Sequence, residues 1–179
     1  MNFINIQDNL LTKEECAAAI KYVVGTRRFD PDVNKSYSGY DYVNLMERGD
    51  SFQESFSDSP LRPIANAISK LKDFYYKKYS ELSTIGRWNT DYVRLKRWNP
   101  GYHYSVWHSE QTVNDPNRLL SFLIYLSDND AYTEFRRHRN VRTKAGRGIM
   151  FPAHYTHEHR GSICKKGLDR YIISGYYTF

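Results

Sequence analysis

With 179 residues, 40% of them hydrophobic, the chain can bury a full core as one domain, which excludes both disorder and a mini-protein held by cross-links. Its only cysteines are Cys16 and Cys164, too few for a disulfide framework or paired Cys-x-x-Cys zinc sites, and a reducing compartment fits. Aromatic residues make up 16%, which favours β structure over a helical bundle. The net charge of +6 is uneven: residues 136–170 hold ten Lys/Arg against Glu158 and Asp169, a local +8, and the rest of the chain is −2. Such a surface suits an anionic ligand, whether a small carboxylate, a nucleic acid or an acidic protein.

In chain order, Phe3 to Ile6 alternates like a short strand. Thr12-Lys13-Glu14-Glu15 is a capping-box pattern opening a helix that ends near Gly25, with Cys16, Ala19, Ile20, Val23 and Val24 at helical spacing. Residues 26–58 read as polar loops around a strand at Tyr40 to Met46. Ser59-Pro60 predicts the start of a second helix, an N-cap followed by proline, with Leu61, Ile64, Ile68, Leu71 and Tyr75 on one face and an end near Tyr79. Beyond Thr90, short apolar or alternating runs at Tyr92–Trp98, Leu119–Leu126, Gly148–Phe151 and Tyr171–Phe179 predict strands. The expected fold class is α+β and β-rich: a double-stranded β-helix, or jelly roll, with supporting N-terminal helices, forming one domain over residues 1–179. The opening residues lack the pattern of a signal peptide and no run of about 18 apolar residues occurs, so a cytoplasmic protein without membrane contact is expected.

Phosphate-binding glycine loops, the Gly-x-Ser-x-Gly elbow and His-Glu-x-x-His are absent. What remains is His108-Ser109-Glu110: on an extended strand, residues i and i+2 share a face and reach one ion together. A later histidine, His157 or His159, completes a trio. Two imidazoles and a carboxylate on one face of an octahedral ion leave three positions open, the arrangement of non-haem Fe(II) oxygenases. Those positions accept a 2-oxo acid and O₂. Arg170, eleven residues after His159, provides the fixed cationic fork that a distal carboxylate needs.

Several motifs in order resemble the prolyl 4-hydroxylase-like 2-oxoglutarate/Fe(II) dioxygenases, especially short single-domain members of bacterial and phage type. They are Asp8 to Cys16, Arg97-Trp98-Asn99-Pro100-Gly101, Trp107-His108-Ser109-Glu110, Leu120 to Asp128, Gly146 to Pro152, Thr156 to Gly161 and Asp169 to Gly175. The resemblance implies that His108, Glu110 and His159 ligate iron and that Arg170 pairs with the far carboxylate of 2-oxoglutarate. It implies that the Tyr125 hydroxyl assists that carboxylate and that Trp98 lines the co-substrate pocket in place of a tyrosine. The implied reaction is hydroxylation of a C–H bond, of a protein side chain such as proline, with release of succinate and CO₂ and with ascorbate as a stimulant. Glu110 stands where the family has aspartate, and the His159–Arg170 interval is one residue longer, expected to be absorbed in the Cys164–Gly167 turn.

His157 shares a face with His159 and is the rival ligand. His103, His138 and His154 are expected at the surface or behind the site, His103 with a chance of meeting substrate, and Glu134 is expected to be solvated. Two readings from other classes use the same residues: a metal hydrolase built on the His/Glu cluster, and a non-catalytic jelly-roll module binding nucleic acid through Arg136, Arg137, Arg139 and Arg142. Dependence on 2-oxoglutarate separates the first from an oxygenase, and binding that survives loss of His108 marks the second.

Overall fold

The computed structural model describes residues 2–32, 39–86, 88–164 and 167–179. The elements are β1 (Asn5–Gln7), α1 (Lys13–Thr26), β2 (Asp30–Pro31), β3 (Tyr40–Met46), α2 (Phe52–Ser55), α3 (Arg62–Lys78), β4 (Asn89–Trp98), β5 (Arg118–Tyr125), β6 (Tyr132–Phe135), β7 (Val141–Arg142), β8 (Gly148–Pro152), β9 (His159–Gly161) and β10 (Arg170–Thr178). A seven-stranded sheet runs β1-β8-β5-β10-β4-β3-β2, and a three-stranded sheet runs β7-β6-β9. All pairings are antiparallel. This is the jelly roll expected from the short-strand pattern.

Local chemistry sets the helices. The Thr12 hydroxyl accepts from the Glu15 N–H at 3.1 Å while the Glu15 carboxylate accepts from the Thr12 N–H at 2.8 Å, so two orphan donors of α1 are satisfied reciprocally. Cys16, Ala19 and Val23 are buried, whereas Val24, expected on the same face, is 46% exposed. The second long helix begins later than its Ser59-Pro60 signal: the Leu61 and Arg62 N–H groups both bond to the Asp58 carbonyl, closing a turn. Pro63 then occupies the first turn of α3, where its missing N–H costs nothing. Ile64, Ala67, Ile68, Leu71 and Tyr75 form the buried face.

Period-two alternation makes the large sheet bifacial. Val93 and Leu95 on β4, Phe122 and Ile124 on β5 and Ile173 on β10 join the helices in one apolar cluster. Trp98, Tyr125 and Ile172 face the other way and pack with Phe135, Val141, Ile149 and Phe151 between the sheets. The same inward face of β10 carries Arg170, Ile172, Ser174 and Tyr176, so one strand delivers both wall and charge to the interior. Gly175 sits where a Cβ would meet the Phe122 ring and, at 2.7 Å, the Tyr92 carbonyl oxygen; only glycine lets β4, β5 and β10 close here. Tyr132–Phe135 forms strand β6. Lys165 and Lys166, in the turn expected to absorb the longer His159–Arg170 interval, lie outside the described residues. No helix among the described residues is long and apolar enough to cross a membrane.

Candidate active site

His108 and Glu110 follow β4 on a loop rather than on a strand, which corrects the expectation of an extended His-x-Glu pair. The loop is nevertheless pinned. His108 and His159 exchange backbone bonds at 3.1 and 2.9 Å, and the Glu110 N–H donates to the Ala153 carbonyl at 3.0 Å. His159 opens β9, so the bridge brings the three side chains together: their donor atoms lie within 4.8 Å of one another. Glu110 Oε1 is 3.6 Å from His108 Nε2 and 3.5 Å from His159 Nε2. His157, the rival, is not in this cluster; its ring stacks on His138 with centroids 4.5 Å apart. Its Nδ1 meets the Thr156 hydroxyl.

The tautomers follow from the backbone. The Val106 carbonyl accepts from His108 Nδ1 at 3.0 Å, and the His157 carbonyl accepts from His159 Nδ1 at 3.1 Å. Each Nε2 is thereby left to face Glu110, and such bonds orient a metal-binding imidazole. Burial lowers the pKa of His159, with the Glu110 carboxylate opposing. Burial raises the Glu110 carboxyl, but the two imidazoles beside it outweigh that and hold it well below the ordinary range. A half-buried carboxylate and two nitrogen donors converging on one point fit a divalent ion of the non-haem iron type.

Arg170, at the start of β10, is 3% exposed. Its Nε has no hydrogen-bond partner, and one terminal nitrogen makes only a long 3.4 Å contact with the Thr133 hydroxyl. The groups acting on its charge are the Tyr125 phenol and the Cys164 thiol, with no carboxylate among them. A buried guanidinium in that state is costly unless an anion arrives. Trp98 forms the adjoining wall, 5.7 Å from the guanidinium carbon. Tyr125 is fully buried behind Thr133, to which its hydroxyl is bonded at 2.7 Å, so Thr133 rather than Tyr125 lines the cleft. The cleft thus joins the His/Glu/His trio to an unpaired buried cation.

Residues that the motif reading passed over complete the site. Arg118, at the start of β5, donates to the Glu110 carbonyl at 3.2 Å, approaches Glu110 Oε2 at 3.9 Å and pairs with Asp115 at 3.3 Å. Its guanidinium lies 3.8 Å from the Tyr176 ring centroid. The alternation Arg170, Ile172, Ser174, Tyr176 was the available signal for Tyr176. Lys96 and Tyr104 also line the cleft. Glu134 is not merely solvated: it accepts from Arg160 at 2.7 Å. Much of the basic stretch is similarly engaged, with Arg136 on Glu158 at 3.2 Å and Lys144 and Arg147 on Asp8. A larger cavity of about 750 Å³ lies at the ends of β4, β5 and β10, where Arg48 is paired with Asp91 and Asp115. The chemistry converges on the smaller cleft.

Residues 93–178 match the model of the 2OG-Fe(II) oxygenase superfamily. These residues belong to that superfamily. Over this segment the chain is a 2-oxoglutarate/Fe(II) oxygenase domain. The oxygenase has the fold of the viral collagen prolyl hydroxylase of Paramecium bursaria Chlorella virus-1, at 18% identity and a TM-score of 0.72, covering 98% of this chain and 96% of the other. It is similar to a Pseudomonas putida prolyl-4-hydroxylase at 14% identity, with a TM-score of 0.68 and coverage of 99% and 93%. The prolyl hydroxylase of Trichoplax adhaerens, solved with a hypoxia-inducible-factor peptide fragment, aligns at 15% identity and a TM-score of 0.71, covering 99% and 84%. No curated protein sequence matches the oxygenase.

Proposed function

We propose that the oxygenase hydroxylates a C–H bond of a protein side chain, proline foremost, with residues 1–179 acting as one domain and His108, Glu110 and His159 holding the iron. The observation that carries this is the buried, unpaired Arg170 sharing a cleft with the trio. A metal hydrolase has no use for such a cation, whereas a co-substrate with a distal carboxylate requires one. Iron held there, with 2-oxoglutarate and O₂, supplies the oxidation that yields succinate, CO₂ and a hydroxylated carbon.

The chain's own residues then do four things. Glu110 would contribute one negative charge to the ion, and His108 and His159 one nitrogen lone pair each. Arg170 receives the far carboxylate of 2-oxoglutarate, with the Thr133 hydroxyl beside it and Trp98 as the wall. Arg118 and Tyr176 hold the Glu110 loop. The apolar ring of Tyr40, Phe135, Phe151 and Ile172 keeps bulk water from the site. The likeness to prolyl hydroxylases, one of them holding a peptide, supports a protein substrate. Two free, buried thiols suit a reducing, cytoplasmic compartment, and ascorbate is expected to raise turnover by keeping iron reduced.

The test is to purify the chain anaerobically, add Fe(II) and 2-oxoglutarate, admit air and quantify succinate for the wild type, His108→Ala and Arg170→Ala. Succinate from the wild type that disappears in both variants is the expected result. Turnover that ignores the loss of His108, or no binding of iron and 2-oxoglutarate, overturns the assignment.

A further inference from the structure

Lys96 lies on β4 between Tyr42 of β3 and Ile172 of β10, two residues from Trp98 on the same face, and lines the cleft. Its ammonium is 4.8 Å from the centroid of the Tyr40 ring. Tyr40 stacks with Tyr104 at 6.4 Å, and the Tyr104 ring lies 4.2 Å from that of His108. Lys96 therefore stands beside the wall that carries His108, while Arg170 stands against Trp98 and Thr133. No ion pair joins Lys96 to a described carboxylate. Burial is the main influence on its charge and disfavours it; Glu110 and Asp32 support it, and Arg94 and Arg118 oppose it.

A charge count gives this cation its meaning. Arg160 is neutralised by Glu134, and Arg118, which also approaches Glu110, by Asp115, so Glu110, Arg170 and Lys96 are the charges lining the cleft that remain to be balanced among the described residues. A dication and a dicarboxylate co-substrate cancel, and Glu110 cancels Arg170. Lys96 is then left over in a desolvated site, where an uncompensated charge is expensive.

We propose that Lys96 is a specificity residue that receives a carboxylate or similar anionic oxygen group on the substrate, close to the carbon to be hydroxylated. This rests on the Fe(II)/2-oxoglutarate reading of the cleft. The second cation lies against a different ring from Arg170, Tyr40 rather than Trp98, so it selects an acid-bearing substrate over a neutral one by leaving its own charge unpaired when the acid is missing.

The test uses the full chain under nitrogen with Mn(II) in place of iron, so that nothing turns over. Mn(II) and 2-oxoglutarate affinities are measured first for the wild type, Lys96→Met and Lys96→Arg, with thermal unfolding to check the fold. Acetate and its neutral isostere acetamide are then titrated into the protein saturated with both. The wild type is expected to prefer acetate by at least about tenfold, Lys96→Met to lose that preference with 2-oxoglutarate affinity held within about twofold, and Lys96→Arg to keep it. Equal binding of the two probes by the wild type overturns the proposal. So does a preference that survives in Lys96→Met, which places the anion on the metal. A tenfold or larger loss of 2-oxoglutarate affinity in Lys96→Met, on the order of 1.4 kcal/mol, overturns it by assigning Lys96 to the co-substrate. Failure of the wild type to bind Mn(II) and 2-oxoglutarate at all is a different result, and it sinks the oxygenase assignment of the cleft together with this inference.

Discussion

Replacing Arg170 by methionine separates a residue kept for binding from one kept for stability, because the two roles move in opposite directions. The guanidinium is buried at 3% exposure, and among the described residues its Nε is unpartnered and a terminal nitrogen makes a long 3.4 Å hydrogen bond to Thr133. Methionine retains the stem packed against Trp98 and removes a charge that nothing in the described residues neutralises. Exchanging buried charge for apolar volume is commonly neutral or stabilising by about 1–4 kcal/mol, so the melting temperature of the metal-free variant is expected to hold or rise by a few degrees. Removing one partner of a buried charge pair costs about 3–5 kcal/mol, so 2-oxoglutarate affinity should fall by about 10² to 10⁴-fold. Calorimetric titration of the Mn(II)-loaded protein under nitrogen measures the second quantity, and scanning calorimetry of the metal-free protein measures the first. An affinity within about threefold of wild type, or a melting point lowered by more than about 5 °C, would refute the reasoning.

Gly175→Ala drives a methyl into the Phe122 ring and the Tyr92 carbonyl, and overpacking of this kind costs about 1–3 kcal/mol, so a melting point lower by about 2–10 °C is expected; one within 1 °C contradicts the packing. Asp8 is held below the ordinary carboxylate pKa by its hydrogen bonds to Arg147, at 2.6 and 3.1 Å. Its contribution is therefore present above the unfolded value of about 4 and is lost as pH falls through the depressed folded value. Partly exposed, the pair is worth at most about 1 kcal/mol, so Asp8→Asn should destabilise slightly in denaturant melts at pH 7, less in high salt, and not at all near pH 2. Burial pushes the Cys16 thiol up to about 11, so native protein at pH 8 should resist iodoacetamide at Cys16 until it is unfolded. Rapid labelling of Cys16 in native protein, read by mass spectrometry, counts against that burial.

What the sequence made legible was whatever a single strand or helix encodes by itself. Tyr40–Met46 matches β3, and the Thr12 capping box opens α1, because both signals are local. Ser59-Pro60 misled since Asp58 captures the next turn's N–H groups, a choice made by backbone bonding that composition does not display. The His/Glu/His trio was reachable through motif order, yet its placement on a loop was not: the bridge between His108 and His159 links residues 51 positions apart. Glu134 looked solvated because Arg160, its partner, is 26 residues away on β9. Lys96 and Arg118 were passed over for the same reason, being ordinary basic residues until the fold turns them toward Glu110.

The trio also ties the fold together. His108 and Glu110 hang from the end of a large-sheet strand, while His159 begins a strand of the small sheet, and the two are joined at this end by one isolated bridge. An ion gripped by all three is a ligand of the native state alone, so its free energy of binding adds to the cost of opening the sandwich at its mouth. The half-life of this protein in a cell should therefore follow the supply of iron: in a starved cell, chains lacking the ion would fray first between the sheets and reach the proteases sooner. Catalyst and clasp would then be the same atom, and enzyme that cannot work would be the enzyme that is cleared.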